Sequence, residues 1–236
     1  MAVYALGDLH LSFYKEKSMD IFGGNWSGHA EKIRECWLAA VTPEDTVVLP
    51  GDTSWAMNFE ELLPDFAFLD SLPGRKLIGK GNHDYWWNTL KKLREFTAQN
   101  GFCSIDFLHN NAYECGGLAL CGTRGWNFEG AKGGDREFDA KIIRREVERL
   151  RFSLEAGRSS GGRPVVFLHY PPVYEGIECA EILEVLLSYG VKDCYYGHLH
   201  GAAAKKAVTG LYRGIRFYLV SCDSVGFCPV PVADGV

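Results

Sequence analysis

Five apolar runs of this chain each stop at a residue able to bind a metal or carry a proton. That coincidence constrains the fold more than any other feature. Residues 2–7 run into Asp8 and His10, and residues 46–50 run into Gly51-Asp52. Residues 76–79 lead to Gly81-Asn82-His83-Asp84, residues 164–168 to His169, and residues 193–196 to Gly197-His198-Leu199-His200. Short apolar runs bounded by turn residues read as buried strands. In open α/β sheets, ligands bind beyond the carboxyl ends of strands. The five polar groups can therefore converge on one place.

The segments between these runs are helical in pattern. Over 29–41, Ile33, Trp37, Ala40 and Val41 share one face. Further helices are expected over 58–71, 85–99, 135–156 and 177–189. Leu118–Cys121 and Leu211–Ser221 read as additional strands, and residues 122–134 as a glycine-rich loop with the reach of a lid. Strands alternating with single helices predict βαβ units in a parallel or mixed sheet. No repeat or linker divides the chain, so a single domain over 1–236 is expected.

Taken singly the two shortest motifs are weak, whereas Gly81-Asn82-His83-Asp84 and Gly197-His198-Leu199-His200 are more specific. Asp8-x-His10 and Gly51-Asp52 are also turn chemistry, and Asp84 also suits a helix N-cap. Together and in this order they resemble the calcineurin-like metallophosphoesterases, whose pattern runs D-x-H, G-D, G-N-H-D or G-N-H-E, a lone His, then G-H-x-H. The resemblance spans Asp8 to His200. It implies an α/β fold, a four-layer α/β/β/α sandwich of two mixed sheets flanked by helices, with the metal site at the strand C-terminal ends. It also implies two metal ions. The first would take Asp8, His10, Asp52 and His200, and the second Asp52, Asn82, His169 and His198, with Asp52 bridging. Carboxylate, imidazole and amide donors without thiolate favour divalent or mixed-valence Mn, Fe, Zn or Co.

The implied reaction is hydrolysis of a phosphomonoester or phosphodiester by a metal-bridging hydroxide. By the same resemblance His83 is the general acid and Asp84 orients it and favours its charged form. Asn82, His83 and Arg124 are candidate contacts to the substrate phosphate. Arg124 enters because the second block departs from the family. It reads Gly51-Asp52-Thr53-Ser54-Trp55, with Trp55 where relatives carry a second acid and no arginine following. An arginine among glycines after a strand offers a bidentate fork to phosphate. The aromatic residues near the motifs, Trp55, Tyr85, Trp86, Trp87, Trp126 and Phe128, are expected mainly to pack.

The charge balance narrows the partners. A net charge of -5 argues against an extended nucleic-acid surface, and the basic residues Lys141, Arg144, Arg145, Arg149 and Arg151, interleaved with Glu146 and Glu148, read as a solvated helix face. The expected substrate is a phosphorylated small molecule or nucleotide, with a phosphoprotein less favoured. No apolar run is long enough to span a bilayer, and the first residues do not read as a secretory signal. Eight cysteines without a C-x-x-C read as reduced, mostly buried thiols of a cytoplasmic protein. The competing reading is a non-catalytic metal-binding scaffold or protein-interaction module on the same fold.

Overall fold

The computed structural model describes the chain except residues 16, 18, 20–22, 127–135 and 233–236. Phe128 and most of the 122–134 loop therefore lie outside the described residues.

The first sheet is built from β1 (Val3–Ala5), β2 (Thr46–Leu49), β3 (Arg75–Ile78) and β4 (Ile105–Phe107), all parallel, with β13 (Val230–Pro231) antiparallel beside β1. The second sheet has the order β11 (Gly210–Tyr212), β12 (Ile215–Leu219), β10 (Asp193–Tyr196), β7 (Arg163–Leu168), β6 (Leu118–Thr123) and β5 (Ala112–Cys115). Its four inner strands are parallel and its edges antiparallel. A two-stranded hairpin, β8 (Val173–Tyr174) and β9 (Ile177–Glu178), stands apart.

Side-chain alternation along the strands explains the layering. Val47, Leu49 and Ile78 face one way, into a core with Ile33 and Trp37 of α1 (His29–Ala40), Phe66 of α2 (Phe59–Ser71) and Phe96 of α3 (Leu90–Gln99). On the second sheet Cys121, Val166, Leu168 and Cys194 pack on Leu150 and Leu154 of α4 (Arg136–Ser160) and on Leu183 and Leu186 of α5 (Ala180–Ser188). The residues between, Val3, Ala5, Val48 and Leu77 from one sheet and Leu120, Val165, Phe167 and Tyr195 from the other, form a third core. The two sheets thus pack face to face under helices on both outer sides, the four-layer α/β/β/α arrangement that the motifs imply.

Several boundaries differ from the pattern. The helix expected over 85–99 begins at Leu90, because Thr89 is its N-cap and accepts the Lys92 N–H. Asp84 is not the cap. The helix expected from 177 begins at Ala180, because residues 177–178 pair back on β8 through a turn at Glu175 and Gly176, both at positive φ. Leu211–Ser221 is a hairpin, turning at Arg213 and Gly214. The strands β4, β5 and β13 have no periodic signature and were not expected.

Of the six free cysteines, five are buried, and Cys103 is exposed. Cys36 on α1 and Cys228 are instead joined as a disulfide, with Cα atoms 4.9 Å apart, which corrects the expectation that none pairs. Their separation of 192 residues hid this contact from any reading of local spacing.

Phe167 tests the inter-sheet layer. It is buried between the sheets and stacks on Tyr195 at 5.4 Å. Phe167→Ala should lower unfolding stability by about 3–5 kcal/mol, read as a shifted urea midpoint at unchanged slope.

Candidate metal centre

The carboxyl ends of the parallel strands in both sheets meet at one edge. Main-chain bonds sew them together there. Gly7 donates to Val220 O (2.7 Å) and accepts from Cys222 N (3.0 Å), which joins the end of β1 to the end of β12. Asp8 and His10 donate to Gly51 O and Asp52 O, both at 3.0 Å, which joins the loop after β1 to the loop after β2.

The side chains of these loops form two facing groups. Asp8, His10 and His200 make one, and Asp52, His169 and His198 the other, the ligand atoms within each lying inside 4.8 Å of one another. Asp52 stands between them, its Oδ2 being 3.8 Å from His10 Nε2 and 3.6 Å from His169 Nε2. Asn82 belongs with the second group, its Oδ1 lying 2.6 Å from His169 Nε2 and 3.0 Å from His198 Nδ1. His10 Nε2 and His200 Nε2 approach to 3.4 Å. All seven residues named from the motifs therefore come together, although they are spread from position 8 to position 200.

The backbone is shaped for this convergence. Asp8, His10, Asp52 and His198 all have φ between 46° and 73°, a region costly for residues with a Cβ and concentrated at functional sites. The motif glycines permit the close approach of neighbouring loops. A Cβ on Gly81 would overlap the Asp52 carboxylate, and one on Gly197 would overlap that of Asp8. Each carboxylate then accepts an N–H from the next loop: Asp52 Oδ1 from His83 (2.8 Å), and both oxygens of Asp8 from His198 (3.0 and 2.9 Å).

Asp84 does something other than orient the His83 ring. Its carboxylate accepts the N–H groups of Gly81 (2.7 Å), Asp52 (2.9 Å) and Thr53 (3.0 Å), together with Trp86 Nε1 (3.1 Å). It is a staple between the loops after β2 and β3. The His83 ring is held by others. Nδ1 lies 3.3 Å from the Tyr85 hydroxyl, and the ring packs on Trp55 at 4.4 Å between centroids. Trp55 also stacks on His10 (4.9 Å). The position where relatives carry an acid thus serves here as an aromatic wall for two histidines. Trp86 is buried against Phe66, which bears out the packing role.

The electrostatics are those of a cation site. Burial pushes Asp52 up, reinforced by the nearby charges of Asp84 and Asp8. Burial pushes His169 down to about 3 and His10 well below the usual imidazole range. Burial also opposes charge on His200, but the hydrogen bonds to Asp223 and Asp8 outweigh it and raise that group to about 10. His83 is pushed down to about 4 by burial, then by Lys17 and His198, so its charged form is not favoured by its protein surroundings. Buried imidazole nitrogens and carboxylate oxygens face one another at 3.4–3.9 Å, a dense set of nitrogen and oxygen donors. A divalent cation in each group fits that donor set.

Sequence reasoning missed two contributors. Asp223 accepts from His200 Nδ1 (2.8 Å) and from Gly201 N (3.2 Å), fixing the ring so that Nε2 faces Asp8. It too follows a strand, so the same signal pointed to it. Tyr170 lays its ring against His198 at 4.4 Å. Arg124 lies close by. Its carbonyl accepts from His169 N and Tyr170 N, its guanidinium is 5.9 Å from the Tyr170 ring, and its buried Nε has no hydrogen-bond partner.

The comparisons with known proteins agree with this geometry. The family model for calcineurin-like phosphoesterases matches residues 1–202. No curated protein matches the sequence. Among solved structures, the phosphopantetheinyl hydrolase of Mycobacterium tuberculosis is similar at 15% identity and a TM-score of 0.55, covering 99% of this chain and 96% of that one. A protein of unknown function from Aquifex aeolicus is similar at 18% identity and a TM-score of 0.52, over 98% and 95% of the two chains. A protein from Thermus thermophilus is similar at 10% identity and a TM-score of 0.56, over 98% and 97% of the two chains. The chain belongs to the calcineurin-like phosphoesterase family, whose members use a binuclear metal centre.

Asp223→Ala should weaken metal affinity about 10- to 100-fold, as removal of a partner behind a ligating histidine does. A chelator competition titration measures it, and unchanged affinity would remove Asp223 from the centre.

Proposed function

We propose that this calcineurin-like phosphoesterase hydrolyses a phosphate ester of a small molecule or nucleotide at the paired ligand groups. Asp8, His10, Asp52 and His200 hold one divalent ion, and Asp52, Asn82, His169 and His198 hold the other. The observation that carries the reading is the position of Asp52, one oxygen of which stands at nearly equal distance from a histidine of each group. A shared carboxylate is what two closely spaced ions require. The donor set of oxygen and imidazole nitrogen favours Mn, Fe, Co or Zn.

When bound, such a pair polarises a phosphoryl oxygen and lowers the pKa of a water towards neutrality. The remaining work falls to the chain's own residues. Asn82 and His83 face the phosphate at the mouth of the site. His83, with Nδ1 directed at Tyr85, presents Nε2 for the leaving oxygen. A phosphate dianion beside that ring supplies the opposite charge its protein neighbours withhold, and so raises its proton affinity. Arg124, with its Nε unpartnered, binds the phosphate from the side of His169 and Tyr170. A phosphopantetheinyl hydrolase among the structural neighbours fits a phosphoester as the substrate. No helix among the described residues is long and apolar enough to cross a membrane.

The decisive experiment is metal analysis with a substrate panel: p-nitrophenyl phosphate, its bis ester, cyclic nucleotides and dinucleoside polyphosphates, each with Mn. Turnover is expected on at least one. Both ions bound without turnover would favour the metal-binding scaffold instead. His83→Ala should retain both ions and lose about 10²–10⁴-fold in kcat, most for poor leaving groups. An equal loss across leaving-group pKa would leave His83 as a phosphate hydrogen-bond donor only. Arg124→Ala should raise KM with metal content unchanged.

A further inference from the structure

Beside the second ligand group the same edge of the fold gathers more basic side chains than the proposed chemistry uses. Lys80 follows β3, His109 follows β4 and Arg124 follows β6, so two further strand ends, and the end of β3 a second time, carry a nitrogen base. The ends of β4 and β6 touch, since a Cβ on Gly122 would lie 3.0 Å from Leu108 Cδ2. The helix α4 closes the cluster from above. Its Glu146 is fully buried, accepts the Thr123 hydroxyl at 2.7 Å and pairs with Arg149 at 2.5 Å. This part of α4 is therefore not the solvated face that its sequence suggests.

The charges do not balance. Arg149 has Glu146, but Lys80 and Arg124 have no ion pair among the described residues. The Asp84 carboxylate, the other acid close to Lys80, is already occupied by its backbone donors. Lys80, Arg124 and Arg149 are all half-buried, and Arg124 Nε is buried with nothing to donate to. Leaving cationic donors desolvated and unpaired is expensive unless an anion completes them. His109 reports the same excess, because its pKa is pushed down to about 4, by burial and then by Arg149, with Lys80 and Arg124 also contributing.

We propose that Lys80 and Arg149, with Arg124 shared at the boundary, form a second anion subsite next to the paired ligand groups, and that it takes a phosphate of the substrate other than the one hydrolysed. Arg124 stands where the two sites meet, between Tyr170 and the strand ends of the basic cluster. The substrate class is thereby narrowed to phosphoesters that bear a second phosphate a short spacer away. This rests on the phosphoesterase reading for the scissile phosphate.

Non-hydrolysable probes separate the two ideas. Alkane-1,ω-bisphosphonates of three to six carbons are titrated calorimetrically into the Mn-loaded protein, each against the alkylphosphonate of equal length. At the best length the bisphosphonate should bind about tenfold or more tightly, beyond the factor of two for its two ends. That advantage should collapse towards the statistical factor in Lys80→Ala and in Arg149→Gln, and return in Lys80→Arg. A wild-type ratio near the statistical factor at every length would overturn the subsite, as would an advantage that survives Lys80→Ala. The simple alkylphosphonates report on the other reading. If none of them binds the Mn-loaded protein, the phosphoesterase assignment falls, whereas failure of the subsite leaves their binding intact and removes only the ratio.

Discussion

The site depends first on one buried carboxylate. Asp84 takes N–H groups from the loop after β2 and from the loop after β3, and adds the indole of Trp86. Hydrogen bonds to a charged acceptor are worth about 1.5–3 kcal/mol each, and the loss of one buried partner costs more than its presence gains. These donors would otherwise be orphaned N–H groups in a tight double turn. With the two loops locked, Asp52 and Asn82 cannot separate, and the strained φ of Asp52 is sustained by its surroundings rather than by its own preference. The same logic repeats at Asp8, whose carboxylate is pinned by the His198 N–H. The ligands are held by ligands, through main chain.

That arrangement is possible only because two sheets present their parallel strands to one edge. A single sheet would supply one crevice. Here the first sheet contributes Asp8, His10, Asp52 and Asn82, and the second His169, His198 and His200, with the inter-sheet core of Val48, Leu77, Phe167 and Tyr195 directly beneath. Packing between the sheets and spacing between the ligand groups are thus one quantity. The basic cluster follows from the same geometry one step outward, where β3, β4 and β6 end.

Much of this is written locally in the chain. Gly81-Asn82-His83-Asp84 and Gly197-His198-Leu199-His200 declare a site wherever a strand precedes them, and their glycines are explained by the carboxylates they approach. Buried central strands such as Val47–Leu49 are continuous apolar runs and read directly. The illegible parts are those in which the partner is remote. Asp84 looks like a helix cap until the Asp52 amide is seen beside it. Glu146 and Arg149 look like surface charges on a helix until β6 is placed beneath them. The edge strands β4 and β13 are two or three residues long and owe their conformation to a neighbour rather than to their own composition. The Cys36–Cys228 pair belongs to the same class.

The pairing of β1 with β2 on one side and with β13 on the other closes the first sheet across almost the whole described sequence. Asp223, near the end of that span, likewise orients His200 beside Asp8 near its beginning. The first ligand group is thus a long-range closure, whose geometry is set only when both ends of the fold are in register.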